Sequence, residues 1–541
     1  MIRDLGQLTA RTFDVLVIGG GVYGLTIAYD AAQRGLQVAL VERDDFGSGA
    51  SFNHLRTIHG GLRYLQSLDV GRARESIQER RTIARIAPHT IRPLPFVLPL
   101  SRSITRGKLA MRAGFLLDRV LASDRNQGVS ATHRLPAGRV YSRGSAIQRF
   151  PGLKRQGLTG AAVWFDYVTT EPDRLTFAWA QAAVNHRATL ANHAEADSLI
   201  KDGARIVGAR IRDTVAGGTI EVGARLVVNA TGAGVDRVLK SAGLASHQPM
   251  AMAMNLVTRR DAGEEALGGR SASGRNLFMV PWRERAVFGT WEAPRLAEPG
   301  DAVPSERDVV SFVADLNHAF PSLDLSLADV TLVHRGVVPA SLRDGHVVLQ
   351  GHEQIRDHAG DGVDGIVTVA GTKYTTARAV AERVVDLVAK KLGAQTEPCR
   401  TAVTVLPGGS VRDVGLAIAE ARREHDEGLP TDTIPHLIGA YGSQFRDVLD
   451  VASTAAGLKD RVAPDSPVIG AELVVAARSE MAVTLADAVV RRTPVGALGY
   501  PGDEALSRAA DLVGGVLGWS DDRKRAEISG VKNYYSPATV P

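Results

Sequence analysis

The sequence predicts an α/β protein whose parallel sheet is interrupted by an inserted antiparallel sheet and followed by a helical carboxy-terminal region. Three observations predict it. An apolar run stops at three glycines and is followed by a helix-like segment and a second apolar run, the pattern of a βαβ unit. Two more apolar runs ending in small residues lie far along the chain, at 225–234 and 365–371. Beyond LPGG (406–409) the periodicity becomes mostly helical.

In chain order, FDVLVI (13–18) reads as a strand, 25–33 as a helix and LQVALVE (36–42) as a second strand. RLVVNATGAG (225–234) and GIVTVAG (365–371) read as further strands; residues 375–392 follow as a helix with apolar positions 380, 384, 387 and 388 on one face. Strand-then-small-residue units so far apart describe one sheet split by insertions. From about 245 to 335, FMVPW, AVFGTW and VTLVHRGVV are short and strand-like, which predicts a separate antiparallel sheet. GLAIAEARREHDE and AELVVAARSEMAVTLADAVVRR then read as helices, before a tail ending NYYSPATVP. The expected domains are a discontinuous nucleotide domain (1–100, 150–245 and 335–398), a substrate domain (101–149 and 246–334) and a helical domain (399–541).

At 541 residues, 44% hydrophobic and 23% charged, the chain can bury sizeable cores without staples. Its single cysteine, Cys399, excludes an internal disulfide, a cysteine-based metal site and an iron–sulfur cluster, and a reducing compartment fits. No metal is expected. The opening residues contain no apolar run of signal length, and nowhere do 18 apolar residues run together, so a soluble or peripheral protein is expected. A net charge of +5 with interspersed signs does not imply nucleic acid. One stretch is more biased: 101–125 holds six Lys/Arg against two Asp.

Gly19-Gly20-Gly21-Val22-Tyr23-Gly24 satisfies GxGxxG between strand and helix, and Glu42 ends the next strand eighteen residues on. Gly19 suits the tight turn, Gly21 the approach of a pyrophosphate to the helix amino terminus, Gly24 close helix–strand packing, and Glu42 the ribose hydroxyls. This predicts a dinucleotide site, FAD or NAD. The stretch IHGGLRYL (58–65) follows closely. His59-Gly60-Gly61 can bring backbone against a flat ring, and Arg63 and Tyr64 bind anions and hydroxyls; a surface turn with a solvated Arg63 is the alternative.

The glycine block, IHGGLRYL, ERRTIARIAPH, NATG, GTKYTTAR, LPGG and RSEMAVTLADAVVRRTPVG occur in one order from about 13 to 500. In that combination the chain resembles the FAD-dependent glycerol-3-phosphate dehydrogenase family. The resemblance implies a Rossmann-like FAD-binding domain, an inserted antiparallel-sheet substrate domain over the flavin and a helical C-terminal domain. It places the family's active-site His and Arg on His59 and Arg63, with Tyr64 beside them, and its lysine on Lys373. FAD contacts then fall on Gly19, Gly21, Gly24, Glu42, Ser51, Gly60, Gly61, Thr231, Gly232, Gly371, Thr372 and Thr375, and substrate contacts on Tyr64, His54, Arg335 and Thr290. The implied reaction moves a hydride from a secondary alcohol carbon to flavin N5. A neutral imidazole with pKa ~6.5 suits the hydroxyl proton, which makes His59 either the base or an orienting group. Lys373, just before Thr375 and Thr376 as expected helix caps, would put positive charge beside the ring, and Arg63 would clamp an anion.

The substrate half departs from the family pattern. Where a GVRPL-type segment carries the phosphate-gripping arginine, Arg335-Gly336-Val337-Val338-Pro339 puts Val338; MAMN (252–255) replaces KGxH; and SFNHLRT (51–57) replaces a serine-rich run. Thr372 stands for a glycine, and Trp291 for a smaller residue. Either Arg335 or Arg56 supplies the lost cation, or the substrate has changed, because Arg-to-Val trades a charge-assisted bond of about 1.5–3 kcal/mol for apolar surface. The expected function is FAD-dependent alcohol oxidation with reoxidation by quinone, oxygen or another acceptor; the alternative is an oxidase or dehydrogenase of a different hydroxy or amino compound. In 101–125, apolar 109, 113, 116 and 120 are flanked by cations, which describes either an interfacial helix on anionic lipid or a helix docked on its own core. The expected location is cytoplasmic, with peripheral contact at the inner face of the cell membrane.

Overall fold

The computed structural model describes residues 1–103, 107–244, 248–297, 303–425 and 428–535, without the side chains of Arg63, Gln66 and Ser67. Among the described residues its first sheet has eight strands. Thr189–Ala191, Val38–Val41, Phe13–Ile18, Thr219–Asn229 and Ile366–Ala370 run parallel, and Gln354–Asp357 closes one edge antiparallel. Phe13–Ile18, Val38–Val41 and Ile366–Ala370 are nearly all apolar because both faces are covered. Helices Val22–Gln33, Pro172–Asn185 and Ala377–Leu392 pack one face, with Val380, Val384 and Val388 buried as their spacing predicts. Val235–Ser241 and the hairpin of Ala194–Asp202 with Arg205–Asp213 cover the other. Four parallel strands end at one edge, and they deliver Gly19, Glu42, Thr231 and Gly371 there.

The second sheet has ten described strands, and Met250–Thr258, Arg285–Glu292, Asn276–Trp282 and Ala266–Arg270 form its centre as predicted. It also recruits strands from outside 246–334. Ile91–Leu100 pairs with Gly160–Thr169 along its whole length, and with Ala266–Arg270 in the sheet's one described parallel pairing. Thr57–Ile58 pairs with Gly160–Thr169, and Val330–Arg343 crosses the expected boundary at 335. Domain limits drawn at 100, 150 and 335 therefore cut through this sheet. Pro93, Pro95 and Pro99 hid the strand at 91–100. All three share one parity, so their missing N–H groups fall along a single edge of the strand.

The carboxy-terminal part is helical, with Val414–His425, Thr433–Tyr441, Phe445–Ala452, Gly470–Ser479, Asp503–Leu517 and Asp521–Tyr535 around two cores. The run over 471–492 is not one helix. It breaks after Ser479, where Met481 has φ 59°, and resumes as a π-helical turn at Asp487–Arg492. Asp487 causes the restart, since its carboxylate accepts from the amides of Val483 (2.9 Å) and Thr484 (3.0 Å). A buried bidentate pair, Arg174 to Glu480 at 2.7 and 2.8 Å, joins this part to the first sheet's helices.

The biased stretch folds as helix Lys108–Leu121. Met111 and Phe115 are buried against the second sheet. Leu109, Leu116 and Val120 are 79%, 65% and 67% exposed, and Ala113 beside them is exposed. Arg125 pairs with Asp118 at 3.0 Å, while Arg102, Arg112 and Arg119 are exposed; Arg106 lies outside the described residues.

Candidate active site

The glycine turn is built on close approach. Gly19 has φ 106°, and a Cβ there would lie 2.6 Å from the Ala230 carbonyl oxygen. A Cβ on Gly24 would lie 1.8 Å from the Gly19 oxygen, so strand and helix touch through this position. At Gly21 a Cβ would stand 3.2 Å from Ser51 Oγ. Gly21 is the helix N-cap and brings no side-chain cap. Ser51 Oγ instead accepts from the Val22 amide at 2.9 Å. Glu42 accepts from the amides of Gly20 (2.5 Å) and Asp44 (2.9 Å), and burial pushes its carboxyl up. Each of its oxygens keeps a lone pair for a ribose hydroxyl. Thr231, whose hydroxyl donates to Asn229 Oδ1 (2.7 Å), and Gly232 sit at the end of the neighbouring strand. The cradle that a Cβ would fill, the open helix terminus and the acidic strand end together fit a dinucleotide such as FAD.

Around the octapeptide, residues 57–67 form a two-residue strand, Thr57–Ile58, a glycine corner and a 3₁₀ turn, Leu62–Ser67. Gly61 takes φ 73°. Gly60 donates to Asp166 Oδ1 at 2.7 Å, and Asp166 is in turn held by the buried guanidinium of Arg80 and by Trp164 Nε1 at 3.0 Å. The corner thus rests on a charged post that fixes its backbone. A Cβ on Gly60 would lie 2.3 Å from Arg80 Nη1, so only glycine fits above that post. The His59 and Tyr64 rings meet edge to face with centroids 6.0 Å apart.

Residues from far along the chain come to the same place. The His59 amide donates to Thr375 Oγ1 at 3.3 Å, and Lys373 Nζ stands 5.9 Å from the centroid of Tyr64. This corrects the expected helix caps. Helix Ala377–Leu392 has Thr376 at its N-cap without a side-chain bond, and Thr375 is engaged by the octapeptide. Tyr23 packs against Gly371 and donates to the Lys373 carbonyl at 3.1 Å, while Thr372 Oγ1 donates to the Gln350 carbonyl at 2.8 Å. The side chain of Arg63, the expected anion clamp, lies outside the described residues.

Of the expected substrate contacts, His54 stacks on Tyr374 (4.6 Å, 21°), and Tyr374 hydrogen-bonds Thr176 at 2.9 Å. Burial and the Arg56 charge hold the His54 imidazole well below its usual pKa, so it is neutral; its Nδ1 accepts from the Arg56 amide and its Nε2 is a buried atom with no hydrogen-bond partner. Thr290 donates to Asn255 Oδ1 (2.9 Å), and Asn255 donates to the Asn53 carbonyl (2.8 Å), linking the second sheet to residues 53–55. Arg335 stands 6.0 Å from the ring of Tyr534 in the last helix. Arg56 is fully buried over the Trp282 ring, bonded to His334 Nε2 at 3.0 Å, and burial lowers its pKa to about 10. Gly336 approaches Ala50, where a Cβ would lie 3.1 Å from Ala50 Cα, and Val338 shares that strand face two residues on.

Sequence reasoning missed the Arg80–Asp166 post, the Tyr374 stack and Asp173, whose carboxyl burial pushes up to about 7. Asp166 sits in the plain strand motif WFDYV, where its polar residue between aromatics was the available signal.

A family model described as FAD dependent oxidoreductase matches residues 14–387, and one described as the C-terminal domain of alpha-glycerophosphate oxidase matches 399–524. A glycerol-3-phosphate dehydrogenase of Synechocystis sp. is 30% identical over 100% of this chain and 99% of its own length. The mitochondrial glycerol-3-phosphate dehydrogenase of Mesocricetus auratus is 33% identical over 97% of this chain and 74% of its own. The solved glycerol-3-phosphate dehydrogenase of Bacillus halodurans, complexed with FAD, shares the fold at TM-score 0.77 and 24% identity, covering 99% of this chain and 98% of that one.

Proposed function

The chain belongs to the FAD-dependent glycerol-3-phosphate dehydrogenase family, and from that premise we propose that it oxidises the secondary alcohol of sn-glycerol 3-phosphate and passes the electrons to quinone or another acceptor. The observation that carries this reading is the meeting of the 59–64 corner with Lys373 and Thr375, which lie more than three hundred residues on. Bound FAD supplies the two-electron acceptor. The chain must supply the rest. As the carbinol carbon is oxidised its hydroxyl proton must leave, and His59 is the imidazole on the corner that can accept it. Lys373 places a cation where negative charge grows, in a setting that Tyr64 helps to dry. Gly60, pinned by Asp166, and Gly61 beside it let the backbone lie flat against a ring.

Anaerobic addition of sn-glycerol 3-phosphate to the purified protein is expected to bleach its flavin absorption. Bleaching only by another compound from a panel of hydroxy and amino donors would replace that substrate, and no bleaching by any donor would overturn the reaction. One feature favours the second outcome. Val338 gives apolar surface on the strand face that meets Ala50, and Asn255 is engaged by Thr290 and Asn53. Val338→Arg is therefore expected to tighten binding of phosphorylated polyols about tenfold, the low end of a charge-assisted bond. Titration of glycerol 3-phosphate against both proteins measures it, and equal affinity would count against this view of the pocket.

We assign helix Lys108–Leu121 to peripheral membrane contact. Its Leu109, Ala113, Leu116 and Val120 face outward, with Arg112 and Arg119 exposed on the same helix. Among the described residues no helix is long and apolar enough to cross a membrane. Co-sedimentation with anionic vesicles is expected for the native chain and to be lost in the Leu109→Glu/Leu116→Glu variant; equal binding by both would remove the assignment.

A further inference from the structure

We propose that Arg491 and Arg492 are positioning residues for FAD: from the helical domain they hold the loop over 45–52 that completes the cofactor cradle, so that FAD occupancy and docking of that domain are thermodynamically linked. The inference rests on FAD binding and is independent of which donor is oxidised.

The loop begins three residues after Glu42. Its Gly47 amide donates to the Gly20 carbonyl at 2.9 Å, Phe46 packs on Gly20, and Ser51 caps the Val22 amide. It therefore touches the glycine turn at three points. The helical domain holds it from the other side. Arg492, 1% exposed, donates to both oxygens of buried Asp45 at 2.5 and 2.8 Å, and Asn192 donates to the same carboxylate at 2.9 Å. The Arg492 Nε donates to the Glu480 carbonyl at 2.9 Å. Arg491, 8% exposed, lies 3.9 Å over the Phe52 ring and reaches the Ser48 carbonyl, with its Nη1 buried and unpartnered. Phe52 itself, next to Ser51, is packed in the helical domain's core with Val468, Leu473 and Leu485.

Both arginines sit on the π-helical turn, a local irregularity that recurs at functional sites. The arginines, the ring and the loop form one contiguous path from the helical domain to the amide end that faces a pyrophosphate. A ligand that orders one end of such a path must favour the other by the same factor.

The test uses the full-length protein. Hydrogen–deuterium exchange of the native chain with and without FAD is expected to show protection over 470–492 as well as 19–24. Arg492→Met, and Arg491→Gln as the milder change, are expected to raise the FAD dissociation constant about 5- to 150-fold, the usual range for coupled sites, in protein whose circular dichroism remains native. An Asp45→Asn/Arg492→Met variant is expected to lose no more affinity than Arg492→Met alone. A merely structural role would lower the melting temperature yet leave FAD affinity within about twofold and give no FAD-dependent protection at 470–492, and that result overturns the proposal. If Arg492→Met does not fold, Arg491→Gln and the native exchange experiment decide alone. Failure of the donor assignment looks different: FAD stays bound and is not bleached.

Discussion

Replacing Lys373 with methionine is expected to slow reduction of the bound flavin about 10²- to 10³-fold, the loss seen when one preorganised donor is removed from a site of developing charge. The magnitude follows from where the residue stands. It leaves the carboxyl end of the parallel strand Ile366–Ala370 and precedes helix Ala377–Leu392. Its Nζ lies beside the Tyr64 ring and its backbone carbonyl is held by Tyr23. Methionine keeps the length of the stem, and the Tyr23 bond is made to the main chain, so the segment keeps its course. The charge and its N–H donors are lost. Single-turnover reduction at saturating donor measures the effect, with FAD content checked by absorbance. Arginine at the same position is expected to recover part of the rate, because charge returns with a different shape. A methionine variant within about threefold of the native rate would remove Lys373 from the reaction.

Gly24→Ala is expected to give protein with little or no bound FAD. The new methyl would be 1.8 Å from the Gly19 carbonyl oxygen, an atom belonging to the turn that approaches the cofactor. A side chain can move aside, whereas this oxygen cannot without reshaping the turn. Overpacking of about 3 kcal/mol corresponds to a factor of about 150 in affinity. Gly114→Ala is the control. It lies on a helix with nothing within 4 Å of the added carbon, so it should bind FAD normally and be slightly more stable, by about 0.5–1 kcal/mol. The ratio of flavin to protein after purification distinguishes the two, and a native ratio in Gly24→Ala would contradict the helix–strand contact.

These residues differ in how readable they were. The glycine turn, Glu42 and the first strands were legible because their signal is local: apolar runs of strand length, glycines at fixed spacing and an acidic strand end. The meeting of 59–64 with 373–375 was not in any periodicity and entered through the resemblance. Ile91–Leu100 escaped because prolines usually mark the end of a strand, whereas these three share a parity and leave the donors of the other parity to pair. The break after Ser479 was hidden by helical apolar spacing that continued on both sides, while the carboxylate of Asp487 started a new segment. No local pattern pairs Asp45 with Arg492, which are buried together although 447 positions apart.

The order of strands in the first sheet also governs how the chain must be made. Phe13–Ile18 lies between Val38–Val41, which follows at once, and Thr219–Asn229, whose own far neighbour is Ile366–Ala370. At ribosomal rates of about 5–20 residues per second, roughly 10–40 s separate the first strand from its second partner. Throughout that interval a nearly all-apolar edge lacks its second partner on a nascent chain, so Phe13–Ile18 needs shielding until residue 219 is synthesised.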